Sequence, residues 1–411
     1  MKRRVVVTGL GVISSIGIGR DEFWKNLIAG RSGISDIESF DTSGYPVHKG
    51  GEVKNFDPLQ FIPKNRLNGM ARASQFAIAA ARLAFDDAGL NASGYKNKKV
   101  AVILGTTMGE GGMIEEVDKH WIGQGEEDIW AATISKYPGN AISDNVARFF
   151  DFNGISFVVP TACSGGNYAI GQGYDIVRTG MADLAMVGGS DPFSRIALTG
   201  FNRLFAMESD MCRPFDKNRA GMMLGEGAGI LILEDLESAK KRGANIYAEI
   251  KGYGLSCDAD HMTAPRVESI VKVMERAIKN SGVDKEDIGY ISAHGTGTPA
   301  NDKAECQAIR TVFGDLSKKL CVSAVKSMLG HTMGAASAIE AIACCLVIKE
   351  GIISPTINYE VPDPDCDIDC VPNRSKKCRA RTVLNNSFAF GGNNACLVLK
   401  DISFDKGDTN I

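Results

Sequence analysis

The chain has 411 residues, of which 44% are hydrophobic and 23% charged, and its formal net charge is −3. This is the profile of a large globular protein, and its near-neutral balance argues against a general nucleic-acid or membrane-surface binder. Eleven scattered cysteines, some inside apolar runs, form no compact disulfide framework and point to a reducing cytoplasm.

From the N-terminus, "RRVVVTGLGVI" reads as a buried first strand. Its apolar stretch is broken by Thr8, Gly9, Gly11, Ser14 and Ser15, unlike a secretion signal. No run is long and apolar enough to span a bilayer. In chain order, β-branched runs predict strands over Arg4–Thr8, Val100–Leu104, Ser156–Val159, Leu184–Val187 and Ile230–Glu234. Later strands are predicted over Ile246–Gly252, Ile288–Ser292, Leu320–Ala324 and Ala395–Lys400. Amphipathic segments predict helices over Ala71–Ala88, Tyr168–Arg178, Leu236–Arg242, Ser269–Ser281, Lys303–Val312 and Gly334–Lys349. Strands separated by helices of this length imply parallel pairing through crossovers.

The chain also echoes itself. "GEGAGILILEDLE" from Gly225 resembles "GGNNACLVLKDIS" from Gly391. "VAVILGTTMG" from Val100 resembles "IGYISAHGTG" from Ile288, and "RVVVTGLG" resembles "YAEIKGYG". The same order in both parts predicts a duplicated α/β unit, divided as 1–245 and 246–411 without a linker.

Three candidate reactive residues leave strands into Gly-rich loops. Cys163 lies in "TACSGG", between an apolar strand and a helix. His294 lies in "YISAHGTGTPANDKAE" and His331 in "SAVKSMLGHTMGAASAIEA". Sites in α/β sheets form beyond the carboxyl ends of strands, so the three converge. A helix N-terminus would favour the thiolate of Cys163, and two imidazoles can donate to, or take a proton from, a reacting carbonyl. Lys326, five residues before His331, would fix charge there. Cys366, Cys370 and Cys378 lack paired CxxC spacing and a nearby histidine, so they read as solvated loop thiols and not as a zinc site.

At these residues the sequence resembles the β-ketoacyl-acyl carrier protein synthases, most closely the synthase II type and the ketosynthases of type II polyketide systems. The likeness runs from "RRVVVTGLG" through "TACSGG", "RPFDKNRAGMMLGEGAGILILED", "AHGTGTPANDKAE" and "KSMLGHTMGAASAIE" to "NSFAFGGNN". The resemblance implies a thiolase-like fold, two similar α/β halves in a five-layered αβαβα body, assembled as a homodimer. It implies decarboxylative condensation of an acyl group held on Cys163 with malonyl-acyl carrier protein. In that chemistry His294 and His331 promote decarboxylation, Lys326 and Glu340 support the site, and the N–H groups of Cys163 and Phe390 form an oxyanion hole. Thr296 and Thr298 match residues that touch the carrier's phosphopantetheine arm, with Phe388 and Met108 also lining the substrate site. No separate cofactor and no metal are implied. By the same match, Lys64, Arg66, Arg72 and Arg203 are the carrier-protein surface.

Three positions depart from the family pattern. Ala389 replaces the Gly between the two phenylalanines of "SFAFGG". Asn393 replaces a Thr, and Met108 replaces a small branched residue at the acyl pocket. Fatty acid elongation is the main expectation, and a specialised polyketide, polyene or lipid pathway the alternative. A silent chain-length-factor-like partner would lack the active cysteine, and a thiolase would carry a second one in place of the His331 motif.

Overall fold

The computed structural model describes residues 3–95, 98–124 and 136–403. Ten principal strands are β1 (Val5–Ser14), β2 (Val100–Gly105), β3 (Ser156–Val159), β4 (Leu184–Asp191), β5 (Gly227–Asp235), β6 (Ala248–Cys257), β7 (Ile288–Ser292), β8 (Cys321–Ser323), β9 (Thr382–Phe388) and β10 (Asn393–Lys400). The helices that build the layers are α1 (Arg72–Asp87), α2 (Ala141–Phe150), α3 (Gly165–Thr179), α4 (Val267–Ser281), α5 (Pro299–Phe313) and α6 (Ala336–Glu350).

The first five strands run side by side in the order β3-β2-β4-β5-β1, and the second five in the order β8-β7-β9-β10-β6. In each set the first three are parallel and the last two are added antiparallel. The two sets therefore share one topology, strand for strand. They meet where Val5, Val6 and Val7 of β1 pair with Ile250, Glu249 and Ala248 of β6.

Composition decides which helix goes in which layer. The helix α6, "ASAIEAIACCLVIKE", is buried from Ala336 to Ile348, all the way round. Such a helix must be covered on every side. It lies beside α3 between the two sheets, in a core that joins Val187 and Leu231 of one sheet to Val383 and Leu397 of the other. By contrast α4 buries Ile270, Val273, Met274 and Ala277 on one stripe and covers the outer face of the second sheet with α5. On the outer face of the first sheet, α1 and α2 do the same. The layers are α1/α2, sheet, α3/α6, sheet, α4/α5: the expected five-layered, thiolase-like αβαβα body.

Two expectations need correction. Cys366 and Cys370 are not solvated: each is 2% exposed, packed in the outer core of the second half with Ile309 and Phe313, while Cys378 is half-buried. Their loop folds back over α5 and draws the apolar thiols inward. The strand β9 was not foreseen, and it leads directly into the "FAFGG" loop.

Candidate active site

Three loops converge where the two halves meet. The first follows β3. Ala162 takes the left-handed conformation, φ 50°, in the short turn Ala162–Ser164, and α3 begins at Gly165. This sharp elbow aims Cys163 into the interior, where it is 3% exposed. Burial pushes its thiol up to about 11, while the Lys326 ammonium and the N–H groups of Phe390 and of Cys163 itself pull it down. At this depth desolvation outweighs the pull of the helix end toward the thiolate.

The second loop follows β7. The backbone N–H groups of His294 and Gly295 donate to the buried Glu305 carboxylate, both at 2.9 Å. This fixes the histidine's backbone. The Lys326 ammonium donates to the His294 carbonyl at 2.8 Å and to Glu340, and lies 3.4 Å from His294 Nδ1. Burial pushes the Glu340 carboxyl up to about 7, against the pull of Lys326. The third loop carries His331, whose Nδ1 accepts from the Met333 N–H at 3.0 Å.

Those contacts set the tautomers. Each Nδ1 faces a donor, so each ring carries its hydrogen on Nε2. Desolvation, with Lys326 adding to it, holds both rings well below the ordinary imidazole range, so both are neutral. His331 Nε2 is buried without a hydrogen-bond partner. The rings stand edge to face with centroids 5.5 Å apart. The nearest ring nitrogens and the Cys163 sulfur all lie within 4.8 Å of one another. Cys and two His at such range suit zinc by type. However, a ligand nitrogen needs a free lone pair, and a metal-binding tautomer would set an N–H of His331 against the Met333 N–H. The chemistry of the set is that of hydrogen-bond donors aimed at an oxygen beside a thiol.

A narrow cleft reaches this point from the surface. Thr296, Thr298, Phe388 and Phe390 line it, together with His261 and Met262 from the segment after β6. Phe388 stands edge-on to His294 at 5.8 Å. The Thr296 and Thr298 hydroxyls are 2.9 Å apart. The Gly391 N–H donates to the Met262 carbonyl at 2.8 Å, and Gly391 has φ 81°. Next to the sulfur lies an apolar cluster in which Met108, Met222, Met333 and Phe390 pack with Phe193, Leu198 and Phe201. Sequence reasoning found Met108 and Phe390 but missed the others. Phe201 and Leu198 lie on the helix Arg195–Arg203, which the sequence did not suggest. It also passed over Glu305, although that residue ends the "AHGTGTPANDKAE" stretch.

The basic residues named for a carrier surface divide. Lys64, Arg66 and Arg203 are exposed. Arg66 donates to the Phe149 carbonyl at 3.1 Å and lies over the Phe149 ring. Arg72 is instead engaged by Glu226, which is buried, in a two-pronged ion pair at 2.6 and 2.8 Å. Its first task is neutralising that carboxylate.

A duplicated body with a thiol seated between its halves is the thiolase-like arrangement of acyl-transferring enzymes. The family model for the β-ketoacyl synthase N-terminal domain matches residues 2–239, and that for the C-terminal domain matches residues 247–360. The chain belongs to the β-ketoacyl synthase family, the condensing acyltransferases. It is 39% identical to the 3-oxoacyl-[acyl-carrier-protein] synthase 2 of Staphylococcus aureus strain N315 over 406 residues, 97% of this chain and 98% of that protein. Among solved structures it is similar to the ishigamide ketosynthase/chain length factor, with 48% identity, TM-score 0.95, and 97% and 99% of the two chains covered. It is also similar to a chain of the solved complex of a type II PKS acyl-carrier protein with its ketosynthase bound to the hexaketide, with 33% identity, TM-score 0.90, and 98% and 100% of the two chains covered. No helix among the described residues is long and apolar enough to cross a membrane.

Proposed function

We propose that this protein condenses a Cys163-bound acyl thioester with malonyl-acyl carrier protein, giving 3-oxoacyl-acyl carrier protein and carbon dioxide, in fatty acid elongation. The observation that carries the reading is the pair of neutral imidazoles presenting Nε2–H donors beside the buried thiol.

In the first half-reaction the Cys163 sulfur attacks the incoming thioester. Its N–H and that of Phe390 receive the developing oxyanion. The carrier's thiolate leaves and takes up the proton that the cysteine gives up. In the second, malonyl carrier protein enters by Thr296 and Thr298. The Nε2–H groups of His294 and His331 hydrogen-bond its thioester oxygen, so that loss of carbon dioxide leaves a stabilised enolate. The enolate carbon attacks the acyl-cysteine, and the sulfur departs and regains a proton. Lys326 and Glu340 hold His294 and its neighbourhood. The acyl chain runs into the Met108, Phe201 and Met333 cluster.

The same reading includes two ketosynthase halves, 1–245 and 246–411, working as one body, with substrates carried on phosphopantetheine and no separate cofactor. A homodimer is supported by β3, a free sheet edge with the apolar sequence "SFVV". A cytoplasmic home is supported by the free cysteines. The acidic carrier docks on Lys64, Arg66 and Arg203, with Arg72 contributing only its outer face.

A second reading, a ketosynthase of a polyketide or polyene pathway, is favoured by one observation. Identity to the ishigamide ketosynthase/chain length factor, 48%, exceeds the 39% to the synthase 2 protein. Intact-mass detection of the acyl-enzyme after offering carrier-bound acyl groups of graded length tests both. Saturated chains loading in a ladder support elongation, and selective loading of unsaturated or oxidised chains moves the assignment to the second reading. No acyl adduct on Cys163 with any chain would overturn both.

A further inference from the structure

The duplication gives every piece of the reactive site a twin. The elbow Thr161-Ala162-Cys163 corresponds to Thr332-Met333-Gly334. Ala162 and Met333, at matching places before α3 and α6, have φ of 50° and 53°. The β2–β7 echo pairs Thr106 with His294. The β5–β10 echo pairs Gly227 with Asn393. Gly227 is the strand partner of Asp191, and the Asn393 carbonyl accepts from the Ala389 N–H at 3.2 Å. Asp191 is therefore the twin of Ala389, and Pro192 the twin of Phe390.

The two sites are filled differently. Around the Cys163 sulfur, the N–H groups of Cys163 and Phe390 remain turned toward the sulfur. At the twin, Pro192 has no N–H, and the space is taken by the Asp191 carboxylate, which is fully buried. It accepts from Gly334 N at 2.6 Å, Thr107 N at 2.7 Å, Thr106 Oγ1 at 2.7 Å and Met108 N at 2.9 Å. Gly334 stands where the other elbow has its cysteine. A Cβ there would fall 2.5 Å from the Thr106 Cα and 2.7 Å from Asp191 Oδ2. Met108, so tied, and Met333, the residue before the tied Gly334, both belong to the apolar cluster beside Cys163.

We infer that Asp191 is a built-in anion occupying the twin of the reactive site's anion pocket, and that it is a positioning residue holding Met108 and Met333 as a fixed wall of the acyl pocket. One wall of the pocket is thereby pinned by a carboxylate. The other, at Ala389-Phe390, has backbone hydrogen bonds but no carboxylate peg. Four donors converging on one carboxylate leave no slack, and removing it strands several buried N–H groups at once.

Asp191→Ala empties the pocket, and formate is small enough to refill it. Thermal melting is measured in sodium formate and in sodium chloride of equal ionic strength. The expected result is a lowered midpoint that formate raises and chloride does not, with the unaltered protein indifferent to the choice. A midpoint unchanged by the substitution, or one lowered but insensitive to formate, overturns the inference. This arm needs no activity, so it stands apart from the assignment of the reaction. The second arm rests on that assignment and uses the isosteric Asp191→Asn, which also serves where the alanine variant does not fold. It measures acyl-enzyme formation against chain length. The Asn side chain presents an NH2 group to donors that need an acceptor, so selectivity between the best and worst chains should fall on the order of tenfold. A profile identical in shape to that of the unaltered protein counts against Asp191 as the holder of the wall. Loss of loading by the unaltered protein itself would instead refute the proposed reaction and leave the formate result standing.

Discussion

The halves of this molecule share a topology and differ in chemistry. β3-β2-β4-β5-β1 and β8-β7-β9-β10-β6 are the same arrangement with the same parallel and antiparallel pairings. One elbow carries Cys163 and the other Gly334. The loop after β2 carries Thr106 and the loop after β7 carries His294 at the matching place. The residue before the elbow's threonine is Pro160 in one half and His331 in the other. In the proposed reaction the first half supplies the nucleophile, and the second supplies donors for an oxygen. A duplicated scaffold thus offers two equivalent places, and different residues at a few loop positions give one of them the groups that the proposed reaction needs. The division of labour also suits the electrostatics. A thiol pushed up to about 11 and two rings held neutral all come from one dry pocket.

The comparison breaks most sharply at the nucleophile. Cys163→Ala should abolish acyl-enzyme formation, seen as loss of the mass adduct. Cys163→Gln, resembling an acylated cysteine, should still release carbon dioxide from malonyl-acyl carrier protein. An adduct on the alanine variant would remove Cys163 from its role. Next come the donors of the second half. His331→Ala and His294→Ala should each leave acyl loading measurable while lowering decarboxylation by roughly 10²- to 10⁴-fold. Equal losses in both half-reactions would dissolve the division between the halves.

Lys326→Met sharpens the electrostatic side. It leaves Glu340 buried without its cation, a destabilisation of about 3–5 kcal/mol, read by chemical denaturation. Lys326 also pulls the Cys163 thiol down, so its removal should raise that group further. Only the thiolate is alkylated, so at pH values below about 11 the iodoacetamide rate should climb about tenfold per pH unit in the unaltered protein. The variant should lie below that line at every pH. A rate that levels off near neutral pH would show a resting thiolate instead. The smallest effect is expected at the wall without the carboxylate. Ala389→Gly should speed acyl loading a few-fold and cost under about 1 kcal/mol of stability, because Gly adds freedom to the loop and to the unfolded chain. Unchanged loading would mean that Gly391 and Gly392 already supply all the motion needed.

Much of this was written locally. Nine of the ten principal strands were readable as apolar β-branched runs, because parallel strands covered on both faces need such residues. The three echoes in the sequence are the pairs β1–β6, β2–β7 and β5–β10. The missing strand shows where local reading fails. β9 is "TVLNNSF", and its asparagines argue against a buried strand. In the fold Asn385 donates to Asn167 Oδ1 and to the Ser337 carbonyl, both at 2.9 Å, and Asn386 to Glu305 Oε1 at 3.1 Å. Their partners come from α3, α5 and α6, far away in sequence.

The residues that the structure brings together were likewise visible: Cys163, His294, His331 and Lys326 stand in or beside distinctive Gly-rich loops. Their states were not. A cysteine before a helix reads as a thiolate until burial is known, since desolvation is a property of everything packed around it. Which imidazole nitrogen bears hydrogen depends on Lys326 and on the Met333 N–H. Asp191, in "GGSDPFS", was not singled out in the sequence, and only the meeting of β2, β4 and the second elbow makes it the acceptor of four donors. Sequence by itself determined the repeated unit and the reactive residue types, because periodicity and side-chain chemistry are local. Tertiary structure alone decided the charge states and which of the two equivalent sites is filled by a carboxylate, because those depend on solvent exclusion and on partners such as Lys326, Phe390 and Gly334 brought from the other half.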